Sequence, residues 1–260
     1  VQWFKKNWTE KPLFSTGFAL LVMIVFQTLA LGFNFDSFGE WFLTWCQNWI
    51  NILRNNATIG IISLGMAFVI ISGGIDLAVG STLVAIGAIV MVLIDSSGRG
   101  LLAAFGISGG SAYCIAIVLG LIAGLLLGEF TGVIVTAGKI PPFIATLGTM
   151  KICRSVTQQF MQGYNPAVPS PFLEIANAQI AGQMIMPIVY WLIFAYALYV
   201  VSKKTAFGRH VYAVGSNERA AKLSGINVHT VKRRVYALMG LLVAVASVLQ
   251  VSRIGAMDFA

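Results

Sequence analysis

Long apolar stretches separated by short polar connections run along most of this chain. A helix needs roughly 20 apolar residues to cross a hydrocarbon core about 30 Å thick, and windows of that length recur through the sequence. They lie at about 13–33, 57–75, 77–94, 111–137, 141–160, 184–201 and 235–252. The pattern therefore predicts an all-α, polytopic helical membrane protein with about seven visible transmembrane helices.

The second and third spans are joined within an apolar stretch of unusual length. Residues 57–94 hold one charged residue, Asp76, in the sequence GGIDL. Residues that weaken helices flank it on both sides: Gly73, Gly74, Gly80 and Ser81. Two interpretations stay open, a tight turn between two helices and a broken helix whose freed backbone groups face a cavity.

Composition removes several classes of protein. The chain is 58% hydrophobic and 10% charged, whereas soluble domains carry about 25% charged residues, so a soluble fold and intrinsic disorder are excluded. The net charge is +8, and the basic residues cluster between Lys203 and Arg234. A basic loop between two spans indicates membrane topology, so we predict lipid contact and no nucleic-acid partner.

The basic loop sets the orientation. Loops rich in Lys and Arg stay in the cytoplasm, so the loop 202–234 is predicted to be cytoplasmic. Counting back through six spans places the N-terminal segment 1–12 and Lys139 on the same side. The loops 34–56, 95–110 and 161–183 are then outside. In 34–56, Trp residues at every fourth position, 41, 45 and 49, predict either an amphipathic interfacial segment or an ordinary packed loop helix.

Within the fourth span, glycine recurs at every fourth position. This spacing predicts a smooth ridge along one face of the helix, against which another backbone can approach closely. The predicted packing residues are Gly120, Gly124, Gly128 and Gly132.

Four charges lie at membrane depth: Asp76, Glu129, Lys151 and Arg154. Each costs about 2.5–3.5 kcal/mol to insert and therefore usually faces protein or water. In one interpretation, the two acids and two bases neutralise one another and line or brace a polar pathway. In the other, Asp76 sits at an interfacial turn and the cations extend outward to the membrane surface. The candidate pathway residues are Gly73, Gly74, Asp76, Gly80, Ser81, Glu129, Phe143, Thr146, Lys151 and Arg154.

The basic loop contains a predicted helix of two turns at about 217–224. Ser216 or Asn217 can cap its N-terminus, Glu218 and Lys222 are spaced as an i,i+4 pair, and Gly225 suits a left-handed C-cap. The residues alone leave two roles open, a docking element and a solvated connector.

The sequence predicts no catalytic, cofactor-binding or metal-binding residue. Cys46, Cys114 and Cys153 form no C-x-x-C pair and are interpreted as packing residues. The chain lacks a G-x-x-x-x-G-K-[ST] phosphate loop. The sequence GISGG at 106–110 fits a nucleophile motif, but both histidines lie in the basic loop, so Ser108 lacks a base and we predict that the chain is not an enzyme.

Three long motifs resemble one family. They are GMAFVIISGGIDLAVGS at 65–81, GKIPPFIATLGTM at 138–150 and TAFGRHVYAVGSNERAAKLSGINV at 205–228. In this order the motifs resemble the permease subunits of bacterial ATP-binding-cassette (ABC) importers for monosaccharides of the ribose, xylose and galactose type. The resemblance covers about 57–255.

The resemblance implies a set of partners in a bacterial cell (inner) membrane. These are a second permease subunit, identical or paralogous, a cytoplasmic ABC ATPase that holds ATP and Mg²⁺, and an extracytoplasmic sugar-binding protein. The loop helix is similar to the coupling helix that docks on the ATPase. Its residues are Asn217, Glu218, Arg219, Ala220, Ala221, Lys222, Leu223, Ser224 and Gly225.

The expected organisation is a single transmembrane permease domain over 1–260. The family usually continues through about three more spans, so we expect this chain to be a fragment of a roughly ten-helix permease. Two alternative functions stay open. One is an ABC permease for nucleosides or another small polar solute, and the other is an ATP-independent channel or secondary transporter.

Overall fold

The computed structural model describes residues 12–32, 37–180 and 182–259, which form α-helices and no β-strand. Residues 1–11 of the predicted cytoplasmic segment lie outside them. Contacts divide the chain into two units, residues 1–53 and 54–260. The helices are α1 (Pro12–Leu31), α2 (Phe38–Ile71), α3 (Val79–Ile94), α4 (Leu101–Ala104), α5 (Gly110–Thr136), α6 (Pro142–Met161), α7 (Ser170–Asn177), α8 (Met186–Lys204), α9 (Ala206–Ser216), α10 (Glu218–Leu223) and α11 (Val228–Ile254).

Five of the described helices are long and apolar enough to cross a membrane: α1, α2, α5, α8 and α11. The predicted all-α, multi-pass architecture is therefore confirmed. Two of the seven predicted spans fall outside this group. Helix α3 has only 16 residues, and α6 includes Lys151 and Arg154 together with several Thr and Gln residues.

The tryptophans of residues 41–49 do not lie on a separate interfacial segment. They belong to the first half of α2, which runs unbroken to Ile71. Residues 38–56, predicted to be part of an outer loop, are therefore helical and continuous with the second span. Residues 40–59 contain neither Gly nor Pro, so nothing interrupts the helical hydrogen bonds. Within the first unit, Trp45 Nε1 donates to Thr28 Oγ1 at 2.9 Å.

The core of the second unit is built on α5 and α11, which run antiparallel. A Cβ placed on Gly120 would approach Val248, whereas one on Gly132 would approach Arg233. All four glycines of the ridge are buried, and Gly240 of α11 faces Gly124 and Gly128. Helix α3 packs against both α5 and α11. Small residues thus allow close contact between helices where lipid supplies no hydrophobic driving force.

The basic loop is more helical than predicted. Besides α10, residues 202–234 contain α9 and the first two turns of α11. Two capping side chains explain these helices. Thr205 Oγ1 accepts from the Gly208 N–H at 3.2 Å, and Asn227 Oδ1 accepts from the Thr230 N–H at 3.1 Å. Both residue types favour helix N-termini, so this signal was present in the sequence and was missed.

The second unit has two distinct ends. At one, here called the basic end, Gly215 of α9 abuts the Ile71 carbonyl and Tyr236 donates to the Ile75 carbonyl. At the other, here called the acidic end, the connection after α3 meets the connection after α6, and the Ser96 N–H donates to the Ala167 carbonyl at 2.9 Å. The predicted cytoplasmic and outer loops of this unit thus gather at opposite ends.

Candidate functional site

Helix α10 is a short helix closed at both termini. Asn217 Oδ1 accepts from the Ala220 N–H at 3.0 Å, which satisfies a donor that the helix leaves unpaired. At the other terminus Gly225 has φ of +83°, and the Ile226 N–H returns to the Ala221 carbonyl at 3.0 Å. These contacts confirm the predicted capped helix and fix its ends without any partner protein.

The outward surface of α10 combines charge with one bare apolar side chain. Ala221 is 4% exposed and anchors the helix, whereas Leu223 is 90% exposed. The other residues of the predicted coupling set are also exposed: Asn217, Glu218, Arg219, Ala220, Lys222, Ser224 and Gly225. We call this set with Leu223 the docking surface, after the role predicted for it in the sequence analysis.

Two ion pairs lie beside the docking surface. Glu218 pairs with Lys232 of α11 at 2.6 Å, so the predicted pairing with Lys222 was wrong. Glu129 of α5 pairs with Arg233 of α11. Lys232 and Arg233 therefore each pair with an acid on a different helix. Among the ion pairs of the described residues, Glu129 is paired with this arginine of α11 and not with a cation of α6, as had been suggested.

A groove of about 300 Å³ adjoins the Glu218–Lys232 ion pair. It is lined by Lys139, Pro141, Glu218, His229 and Lys232, among others. Lys139 has φ of +53°, a left-handed conformation that is uncommon for residues other than glycine. The connection from α5 to α6 thus turns sharply beside the docking surface.

A cavity of about 430 Å³ lies between α3 and α6. It brings together three of the predicted pathway residues, Gly80, Ser81 and Arg154. Sequence reasoning missed Thr157, Asp258 and Phe259, which also line it. Thr157 carried a signal, since it lies one helical turn beyond Arg154, whereas nothing in the sequence pattern connects residues 258 and 259 to this region.

A second cavity of about 480 Å³ shares Phe259 with the first. Its polar lining comes from one turn of α6 and the residue after it: Ser155, Gln158, Gln159 and Gln162. Hydroxyl and amide groups donate and accept hydrogen bonds, and an aromatic ring offers an apolar face. Together the two cavities present the chemistry that a polyhydroxylated solute requires.

The residues around Asp76 lie in an extended connection. Helix α2 ends at Ile71, α3 begins at Val79, and Gly73 has φ of +78° between them. Asp76 Oδ1 accepts from the Ala78 N–H at 2.9 Å, just before the first turn of α3. A Cβ on Gly74 would lie 2.8 Å from the Tyr236 hydroxyl. The structure therefore places Gly73, Gly74 and Asp76 in a seven-residue link at the basic end, where Asp76 supports the start of α3.

The structure does not bring the other predicted pathway residues together. Phe143 and Lys151 are exposed on α6. Thr146 is fully buried and donates back to the Pro142 carbonyl of its own helix at 2.9 Å. Glu129 forms an ion pair with Arg233.

At the acidic end, the Asp95 carboxylate links the connection after α3 to the connection after α6. Asp95 accepts from the Tyr164 hydroxyl at 2.5 Å, the Ser97 hydroxyl at 2.6 Å and the Ala167 N–H at 2.8 Å. Burial by itself raises the pKa of Asp95, but these hydrogen bonds outweigh it and lower the pKa to about 2. Burial and the bond to Asp95 raise the pKa of Tyr164 to about 12. Residues 95–97 and 164–167 are thus held together at neutral pH.

Comparison with known proteins gives consistent matches. The family described as branched-chain amino acid transport system / permease component matches residues 48–260. The ribose import permease protein RbsC of Haemophilus influenzae is 38% identical over 217 residues, which cover 80% of this chain and 62% of that protein. RbsC of Bacillus subtilis is 40% identical over 211 residues, with 80% and 61% covered.

RbsC of Escherichia coli is 34% identical over 264 residues, which cover 97% of this chain and 73% of that protein. The chain spans about three fifths of the length of the first two relatives. No solved structure matches it.

Proposed function

Because this chain belongs to the family of branched-chain amino acid transport system permease components, we propose that it is the transmembrane permease subunit of an ATP-driven importer. The proposed cargo is a monosaccharide, for which ribose is the first candidate because three relatives are named ribose import permeases. ATP and Mg²⁺ are bound by a separate cytoplasmic ATPase, and an extracytoplasmic binding protein delivers the sugar to a pair of permease subunits.

The docking surface carries this proposal. Exposure of a leucine to water on a charged helix is unfavourable, and contact with a protein partner would bury this side chain. The two caps fix the internal fold of α10, so little conformational entropy is lost when a partner binds it. The ATPase is the occupant that a permease subunit needs at its cytoplasmic face.

The cavity between α3 and α6 and the neighbouring cavity beside α6 support a sugar as cargo. Their lining offers hydroxyl, amide, carboxylate and guanidinium groups together with the Phe259 ring. Monosaccharides are neutral and carry several hydroxyl groups, so they match hydrogen-bonding groups beside an aromatic face. A nucleoside or another small polar solute would use the same groups, and uptake assays separate these cargoes.

The proposed orientation puts the basic end in the cytoplasm of a bacterial inner membrane. Cytoplasmic loops carry an excess of Lys and Arg, and the basic end holds the cluster from Lys203 to Arg234. Coupling then follows from differential binding. The ATPase shifts the permease between conformations only if its contacts with the docking surface differ between them.

The test is co-purification of this chain with the ATPase encoded beside it. Replacing Leu223 with Asp removes an apolar contact worth about 1.5–3 kcal/mol and adds a charge, so we expect at least about tenfold weaker association. Ala206→Asp is the matched control, since it adds the same charge at an exposed position of α9 in the same loop.

ATP-dependent ribose uptake by the wild-type assembly completes the test. Equal recovery of the ATPase with wild-type and Leu223→Asp protein would refute docking through α10. Uptake that continues without any ATPase would instead favour a channel or secondary transporter.

A further inference from the structure

Two adjacent cations near the start of α11 bind acids on two different helices. Lys232 Nζ donates to Glu218 Oε2 of α10 at 2.6 Å. Arg233 Nε donates to Glu129 Oε1 of α5 at 2.7 Å. The two pairs therefore join α10, α11 and α5 in series, beginning at the docking surface.

The contact between α11 and α5 is rigid where Arg233 lies. A Cβ on Gly132 would stand 3.0 Å from the Arg233 Cα and 3.2 Å from its carbonyl oxygen. One turn earlier, a Cβ on Gly128 would stand 3.0 Å from the Gly240 Cα. With backbone against backbone, neither helix can slide without moving the other. Helices α5 and α11 thus form one mechanical body, which we call the helix pair.

The contact between α10 and the helix pair is less constrained. A turn of four residues, 224–227, joins α10 to α11 and contains Gly225. Across this turn, the Lys232–Glu218 ion pair is a side-chain contact that fixes the orientation of α10 relative to α11. The side chain of Lys232 is 23% exposed and that of Glu218 is 57% exposed. Exposed ion pairs contribute little to stability, so this contact sets orientation more than it stabilises the fold.

We propose that Lys232 and Arg233 are positioning residues that transmit displacement of the docking surface to the helix pair. Lys232 holds α10 in register with α11, and Arg233 passes the movement to α5 through Glu129. The proposal rests on the proposed function, because it requires an ATPase that moves α10. It adds a specific transmission route, which docking alone does not require.

The test measures coupling in the complete transporter reconstituted in liposomes with its ATPase and binding protein. The two readouts are D-ribose transported per ATP hydrolysed and the amount of ATPase retained on the permease. For Lys232→Glu, which repels Glu218, we expect about threefold less ribose per ATP with the ATPase fully retained. For Arg233→Gln we expect a loss of similar size.

A charge swap and a matched control complete the design. The double variant Glu129→Arg with Arg233→Glu restores the second pair in reverse and leaves the docking surface unchanged, and we expect ribose per ATP within about twofold of wild type. Arg234→Glu is the control, since Arg234 is exposed and makes no ion pair among the residues that the structure describes. It should leave the ratio unchanged.

Three results would overturn the transmission route. The first is wild-type coupling in both Lys232→Glu and Arg233→Gln. The second is a charge swap that recovers nothing, and the third is loss of the ATPase from Lys232→Glu, which would make Lys232 a docking residue. Wild-type protein that binds no ATPase or shows no ATP-dependent uptake would refute the proposed function and, with it, this route.

Discussion

Replacing Gly124 with alanine tests the contact on which the second unit is built. The added Cβ would lie 2.5 Å from the Gly240 carbonyl oxygen and 2.6 Å from the Ala244 Cβ. Ordinary contacts begin at 3.4 Å, so α5 and α11 would have to separate by about 0.9 Å. Neither opposing atom is the end of a flexible side chain, so rotamer changes cannot relieve the overlap.

Two opposing terms set the size of the effect. Overpacking of this kind costs about 1–3 kcal/mol, and alanine recovers up to about 1 kcal/mol of helix propensity over glycine. The expected net loss is about 1–2 kcal/mol, which corresponds to a fall in Tm of about 2–8 °C for a chain of this size. The control is Gly148→Ala in α6, where an added Cβ meets no atom within 4 Å, so its Tm should equal or exceed that of wild type.

The assay is thermal unfolding of the purified proteins in the same detergent, followed by gel filtration of the fraction that stays monodisperse. A Gly124→Ala protein that melts at or above the wild-type temperature would refute the close backbone contact. A fall of the same size in Gly148→Ala would also refute it, because the loss would then follow from any glycine replacement in a helix of this protein.

Two further predictions concern the acidic end and the orientation. The low pKa of Asp95 means that its contribution, on the order of 1–2 kcal/mol, is present above about pH 4 and lost as the pH falls from about 4 to about 2. Asp95→Asn should therefore lower Tm at pH 7 and reduce the fall of Tm between pH 4 and pH 2. A variant whose Tm falls as much over this range as that of the wild type would contradict this account. With Cys46, Cys114 and Cys153 replaced, Ser216→Cys should react with an impermeant thiol reagent only from the cytoplasm and Ala167→Cys only from outside. The reverse labelling would invert the proposed topology.

Sequence reasoning was most successful where a local pattern has one physical solution. Apolar runs without charge predicted the helices, and the resemblance of three motifs to sugar importer permeases was confirmed by the family and relatives that match. The capped helix at 217–224 was found to within a residue or two, because Asn at an N-cap and Gly at a C-cap act within a single turn.

Pairing between distant elements was harder to predict. Glu218 was assigned to Lys222 on its own helix, although Lys232 reaches it from α11. Charged side chains on a helix surface have several neighbours within reach, and the neighbours on other helices depend on how the helices pack. The same limit applied to Glu129, whose partner Arg233 lies 104 residues away.

By itself, the sequence determined that this is a helical membrane protein, which motifs it shares with sugar importer permeases, and where the short capped helix α10 begins and ends. These properties follow from hydropathy and from backbone hydrogen bonds that are satisfied locally. Only the tertiary structure decided that Gly80, Ser81 and Arg154 share a cavity with Asp258, and that Asp76 supports the start of a helix. Contacts of this kind depend on the register of helices that are far apart in the chain, and that register is set by packing of the whole unit.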